Sequence, residues 1–320
     1  MNVKKVLCLG SLVGTLTAAL ASDPAWAEYP ERPVRVVIGY APGGGTDIMA
    51  RIIADELSKQ LGQGFLVENK PGGATTLAAS LVASAPADGY TVLLTTLGTA
   101  IASSTMDKLP YDYVNDLKGI AMIATNDFVM VVPKDSPISD LADLVRLGQA
   151  EGISYSSSGI NSPSHLITDE ILRKLGVEGN HVPYSGSGEA LTAVLSGEVE
   201  LNLSVTANAA PVLRDGLVKG LAITSVTGNP QVPEMRPLDQ LGLEGYEGVT
   251  WYGMFGPADL PDEITTRLSN AIRATLEVDA VSSKLVDYGY TLNFASPEAF
   301  QAFSLAEVDR WKAAAAAAAE

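Results

Sequence analysis

One unit recurs along this chain and constrains it most: a short run of strand-forming residues, a loop rich in glycine or serine, then apolar residues at helical spacing. Val34-Arg35-Val36-Val37-Ile38 reads as a buried strand, and Gly39-Tyr40-Ala41-Pro42-Gly43-Gly44-Gly45 follows it as a loop. Ile48, Ile52, Ile53 and Leu57 then recur on one helix face, with Thr46 as the expected cap and Gly62 as the expected stop. Strands at 65–68 and 90–95 flank a helix over 75–83, completing the alternation of a parallel α/β lobe. The middle third repeats the theme. A strand at 128–132 is stopped by Pro133, and a helix over 141–150 leads to a strand at 153–156. Ser162 and Pro163 open the next helix as cap and first turn. A helix over 189–196 and strands at 200–205 and 221–224 complete a second lobe. Residues 228–237 are rich in proline and lack periodicity, so they read as a loop. A strand at 251–257 and helices over 262–276 and 297–311 follow, and the alanine run 313–319 receives no function.

The N-terminus sets the compartment. Lys4 and Lys5 precede an uncharged apolar run from Val6 to Leu20, and Ala25-Trp26-Ala27 offers small residues at a cleavage site before Glu28. This is the layout of a secretory signal peptide, and the run is shorter than the about 20 residues of a membrane span. Cys8, the only cysteine, lies inside that segment, so the mature chain is expected to have no disulfide and to rest on its core alone. The formal net charge is −16, and removing residues 1–27 makes it slightly more negative. Such a surface excludes nucleic acid and anionic lipid as partners, and any anion must be held by local geometry against the global field.

That local geometry is offered by the loops at 41–47, 156–165 and 184–189, with a fourth candidate at 95–99. Each precedes a predicted helix, whose first N–H groups carry partial positive charge. Glycine lets a ligand approach the backbone, so such loops bind an anion without Arg or Lys. Residues 42–47 lack both the P-loop lysine and dinucleotide GxGxxG spacing, so no cofactor is expected. Catalysis is poorly supported. His165 and His181 are the only histidines, and there is no HExxH pattern, no GxSxG elbow and no metal-ligand spacing. A hydrolase would need a base beside a nucleophilic serine, such as His165 with Ser158 or Ser164. Asp47 is expected to serve the helix start, and His181 to be structural.

The chain resembles the periplasmic solute-binding receptors of tripartite tricarboxylate transporters, also called Bug proteins. The resemblance runs from Tyr29 to about Trp311. It is carried by Tyr29-Pro30-Glu31-Arg32-Pro33, Ala41-Pro42-Gly43-Gly44-Gly45-Thr46-Asp47, Val67-Glu68-Asn69-Lys70-Pro71-Gly72, Ala87-Asp88-Gly89-Tyr90-Thr91, Tyr155-Ser156-Ser157-Ser158-Gly159, Ser162-Pro163-Ser164-His165 and His181-Val182-Pro183-Tyr184. It implies a type II periplasmic-binding fold, in which two α/β lobes joined by two crossing strands close over a ligand. The expected division is 1–27 signal peptide, 28–125 with 226–320 as one lobe, and 126–225 as the other. The implied ligand is a small organic carboxylate, either a dicarboxylate or an aromatic acid. The implied partners are integral-membrane transporter subunits, with the receptor a periplasmic monomer. A sensor presenting its liganded form to a signalling receptor is the alternative. Neither catalysis nor a metal is implied. Contacts are expected from Tyr40, Gly44, Gly45, Thr46 and Thr99 in the first lobe, and from Ser158, Asn161, Ser164 and His165 in the second. Relatives commonly carry Asp-Asn after the strand near residue 203, and that Asp can pair with a ligand amine. Here Ser204-Val205 stands instead, which implies a ligand without an ammonium group and places Ser204 among the candidates.

Overall fold

The computed structural model of the protein describes residues 29–106 and 108–318; the predicted signal peptide lies outside them. In chain order the strands and helices are Val34–Ile38 (β1), Gly45–Leu61 (α1), Phe65–Asn69 (β2), Thr76–Ala83 (α2), Thr91–Thr96 (β3), Leu97–Thr105 (α3), Tyr113–Asp116 (α4), Leu117–Pro133 (β4), Leu141–Glu151 (α5), Ile153–Ser157 (β5), Pro163–Lys174 (α6), Gly179–Pro183 (β6), Ser187–Leu195 (α7), Leu201–Val205 (β7), Thr206–Arg214 (α8), Val218–Ile223 (β8), Val249–Pro257 (β9), Asp262–Leu276 (α9), Asp279–Asp287 (α10), Thr291–Ala295 (β10) and Pro297–Ala318 (α11).

Two sheets share one strand. In the first, β2, β1 and β3 run parallel, and β9 joins antiparallel between β3 and β4. In the second, β6, β5 and β7 are parallel, and β7 and β8 flank the far end of β4 antiparallel. β4 is 17 residues long and changes partners along its length. Leu117 to Asp127 pair with β9, and Phe128 to Pro133 pair with β7 and β8. The chain returns beside it, where Thr224 N–H donates to Phe128 O at 2.9 Å and Gly248 N–H to Thr224 O at 3.2 Å. These are the two crossing strands of the expected fold.

Burial explains the strand composition. Val34, Val36, Val37 and Ile38 are buried on both faces of a parallel sheet, which is why the strand is nearly all β-branched. α1 ends where Gly62 takes the left-handed conformation at φ 70°, as a C-terminal glycine should. Its start differs from expectation. The cap is Gly44 rather than Thr46, and Thr46 lies inside the first turn. The other expected cap is present: the Ser162 hydroxyl accepts from His165 N–H, and Pro163 sits in the first turn.

The crossing region is tied by a buried acid. Asp127 Oδ1 accepts from Thr206 Oγ1 at 2.6 Å and from Asn229 Nδ2 at 3.0 Å, and the same Asn229 amide donates to Gly289 O at 3.0 Å. Burial pushes the Asp127 carboxyl above its usual range, against the hydrogen bonds from Thr206 and Asn229.

Candidate functional site

Five helices begin around one small cavity between the sheets. Thr46 comes from α1, Thr96 from the cap of α3, Pro163 and Ser164 from α6, Ser187 from α7, and Val205 from the cap of α8. The crossing strands supply the floor, with Phe128, Thr250 and Tyr252, and Tyr40 and Ser158 complete the wall. The cavity measures about 30 Å³, and among the described residues no charged side chain lines it. Eight of the eleven lining residues carry a hydroxyl. Burial pushes the Tyr40 phenol up to about 12, against its hydrogen bond to Thr96, so it stays neutral. A wider cavity of about 550 Å³ adjoins, since Tyr40 and Ser158 border both. Its rim includes Met106, Ile160, Asn161, Tyr184 and Glu189.

Several backbone amides expected to face a ligand have partners inside the protein. Gly43 N–H donates to Asp47 Oδ2 at 3.0 Å, and Gly45 N–H to Ser187 Oγ at 3.3 Å. Ser158 N–H donates to Ser164 Oγ at 3.0 Å, and Asn161 N–H to His165 Nδ1 at 3.0 Å. The loops use these amides to hold their own shape, and hydroxyls face the cavity. Asp47 serves the start of α1, as expected. Burial alone would raise its pKa, but hydrogen bonds from Arg51, Gly43 N–H and Asn69 outweigh burial and keep the carboxyl below its usual range.

The expected residues divide accordingly. Tyr40, Thr46, Ser158 and Ser164 line the inner cavity. Gly45 borders it, because a Cβ built there falls 3.1 Å from both Tyr252 Oη and Val205 Cγ2. Gly44 lies beside it, with its built Cβ 2.8 Å from Ser187 Oγ. Asn161 reaches the outer cavity. Three residues stand elsewhere. Thr99 is fully buried against Thr95 and Thr75, where its hydroxyl ties α3 to the turn before α2. Ser204 is not among the lining residues; Val205, its neighbour on β7, is, because successive strand residues face opposite sides. His165 has both ring nitrogens engaged, Nδ1 by Asn161 N–H and Nε2 by Asp169 Oδ2 at 3.2 Å. It locks the loop that presents Ser158 and Asn161.

Thr96, Phe128, Pro163, Ser187, Val205, Thr250 and Tyr252 were not expected at the site. Thr96, Pro163 and Ser187 carried a signal, since they lie in the 95–99, 156–165 and 184–189 loops; Thr250 and Tyr252 reach the site only because β9 crosses between the sheets.

His181 makes the stability of this region sensitive to acid. The His165 and His181 rings stack at 3.8 Å, and Tyr155 packs on His181 at 5.1 Å. Burial, then the charge of His165, lowers the His181 pKa from 6.5 to about 4, and Asp169 opposes the shift. The fold therefore prefers neutral His181. Its contribution to stability is complete above pH 6.5 and is lost as pH falls toward 4. The unfolding midpoint is expected to drop across that window, and His181→Gln to flatten the drop in a melting series from pH 7.5 to 4. An equal drop in both proteins would refute the assignment.

This architecture defines a two-lobed solute-binding protein of the periplasmic-binding class. The chain belongs to the tripartite tricarboxylate transporter family receptor group, TctC, which matches residues 49–318 and comprises binding receptors rather than enzymes. It is 28% identical to Protein BugT of Bordetella pertussis over 97% of this chain and 96% of that protein. Among solved structures, Rhodopseudomonas palustris Rpa4515 with adipate is 32% identical, with TM-score 0.85 over 89% of this chain and 96% of that one. MatC from Rhodopseudomonas palustris with bound malate is 31% identical, with TM-score 0.85 over 90% of this chain and all of that one.

Proposed function

We propose that this receptor captures a small organic carboxylate, a dicarboxylate or an aromatic acid, in the cavity between its lobes and delivers it to the membrane subunits of a tripartite tricarboxylate-type transporter. One observation carries the reading: five helix N-termini and a ring of neutral hydroxyls converge on one cavity, with no charged side chain among the described residues of its wall. Aligned helix dipoles and oriented hydroxyls favour an anion there without a buried cation, whose desolvation would be costly. A hydrogen bond to an ionised group contributes about 1.5–3 kcal/mol, so three or four suffice for the roughly −8 kcal/mol of a micromolar ligand. Two relatives bound to diacids support the class. Val205 at the wall, with no carboxylate beside it in the sequence, supports a ligand without an ammonium group.

In this reading the lobes are 28–125 with 226–320, and 126–225. The division is supported by the change of partners along β4 at Asp127–Phe128. Export through residues 1–27 places the receptor outside the cytoplasm, and N-terminal sequencing of the mature protein should begin at Glu28.

The test is a thermal titration with malate, adipate and an aromatic acid. A ligand at a hundred times its Kd should stabilise the protein by about 2.7 kcal/mol, a rise of several degrees. If no acid of these kinds moves the midpoint, the ligand class is wrong. Mass spectrometry of denatured, freshly purified protein would identify a co-purified acid directly.

A further inference from the structure

Two glycine-rich stretches on opposite walls of the cleft touch backbone to backbone. Residues 41–45 lead from β1 into α1, and residues 185–188 lead from β6 into α7. β1 pairs with β2 and β3, and β6 with β5, so no strand pairing holds these segments together. Ala41 N–H nevertheless donates to Ser185 O at 3.2 Å, and Gly45 N–H to Ser187 Oγ at 3.3 Å. The approach is close enough that side chains here would meet the opposite wall. A Cβ built on Gly44 falls 2.8 Å from Ser187 Oγ, one on Gly188 falls 3.4 Å from Gly43 O, and one on Gly186 falls 3.4 Å from Ala41 Cβ.

Thr46 and Ser187, from the two sides of this contact, both line the inner cavity. Its about 30 Å³ has room for a water or two, not for a diacid. With the two segments in contact, the inner cavity is too small to hold a ligand of the proposed class.

We propose that residues 41–45 and 185–188 form an interlobe latch, a direct contact between the walls that must break for a ligand to load and re-forms when the lobes close. The proposal rests on the solute-binding reading above. Its two bonds are long and between neutral groups, the kind that open readily. Gly186 and Gly188 let the two backbones meet, and a bulky side chain at Gly188 would hold the walls apart. The latch thus sets how fast ligand exchanges, separately from the hydroxyls that hold it.

A double variant, Ala41→Cys with Gly186→Cys, tests this. The built Cβ of Gly186 lies 3.4 Å from Ala41 Cβ, near the about 3.5–4.5 Å of disulfides. Gly186 has φ 178°, extended backbone that cysteine adopts freely. A mild oxidant should cross-link the pair without added acid. The oxidised protein should then take up added malate or adipate at least about a hundredfold more slowly than the reduced protein, with dithiothreitol restoring uptake. Failure of the cross-link to form, or equally rapid uptake by both forms, would overturn the latch. Gly188→Leu is the second variant. It should speed ligand dissociation at least about tenfold by wedging the walls, and unchanged dissociation would count against the latch. If parent and reduced variant bind none of the acids, the carboxylate reading fails on its own. Small-angle scattering then decides the latch: a smaller radius of gyration after oxidation supports it, and equal radii overturn it.

Discussion

Replacing Gly45 by aspartate is expected to weaken carboxylate binding by at least about a hundredfold while leaving the fold intact. A Cβ at Gly45 points toward the inner cavity, 3.1 Å from Tyr252 Oη and Val205 Cγ2, both of which line it. The new carboxylate would stand at the start of α1, where the helix dipole favours negative charge. It would therefore be accommodated, and it would occupy the site proposed for the ligand. The effect has two parts. The ligand loses at least one charge-assisted hydrogen bond, about 1.5–3 kcal/mol, and it meets a like charge in a poorly solvated space. Together these exceed the about 2.8 kcal/mol of a hundredfold change. Calorimetry with malate or adipate measures the loss, and circular dichroism checks the fold. Gly45→Ala adds only a methyl group to a tight contact and should cost much less. If aspartate and alanine were equally harmful, sterics rather than charge would govern the site.

Phe300→Ala is expected to destabilise the protein by about 3–5 kcal/mol, the range for a fully buried aromatic. Phe300 on α11 is 0% exposed, and its ring lies 4.8 Å from Phe255 and 5.5 Å from Trp251. It packs over Gly253, where a Cβ would come within 2.1 Å of the ring. α11 is thus bolted onto β9, the strand that carries Tyr252 to the cavity. At roughly 2–4 °C per kcal/mol for a domain of this size, the midpoint should fall by on the order of 10 °C. Gly253→Ala should also destabilise, by overpacking, at about 1–3 kcal/mol. Urea unfolding measures both. A loss under about 1 kcal/mol for Phe300→Ala would mean that the aromatic cluster repacks and that α11 is a loose addition to the lobe.

The local devices were legible because they are local. The β-branched run of β1, the Gly62 stop and the Ser162–Pro163 start each follow from backbone chemistry within a few residues. β4 was read only over 128–132, whereas it begins at Leu117. Its first half contains Gly119, Ala121 and Ala124 and two register shifts against β9, which remove the strict alternation that marks a strand. α8 was missed because Pro211 lies inside it and masks its pattern. α10 and β10 also escaped, and both are short.

By itself the sequence determined the two α/β lobes, the family and the loops that open the helices, because period, capping and glycine placement act over one turn or one strand. The tertiary structure alone decided which groups those loops direct inward. Four of their amides are taken by partners four to six residues away, or by Ser187 on the opposite wall. The cavity is left with hydroxyls, some of them brought from Thr250 and Tyr252 by a strand that crosses between the sheets. Such pairings depend on distances between segments far apart in the chain, and no local pattern encodes them.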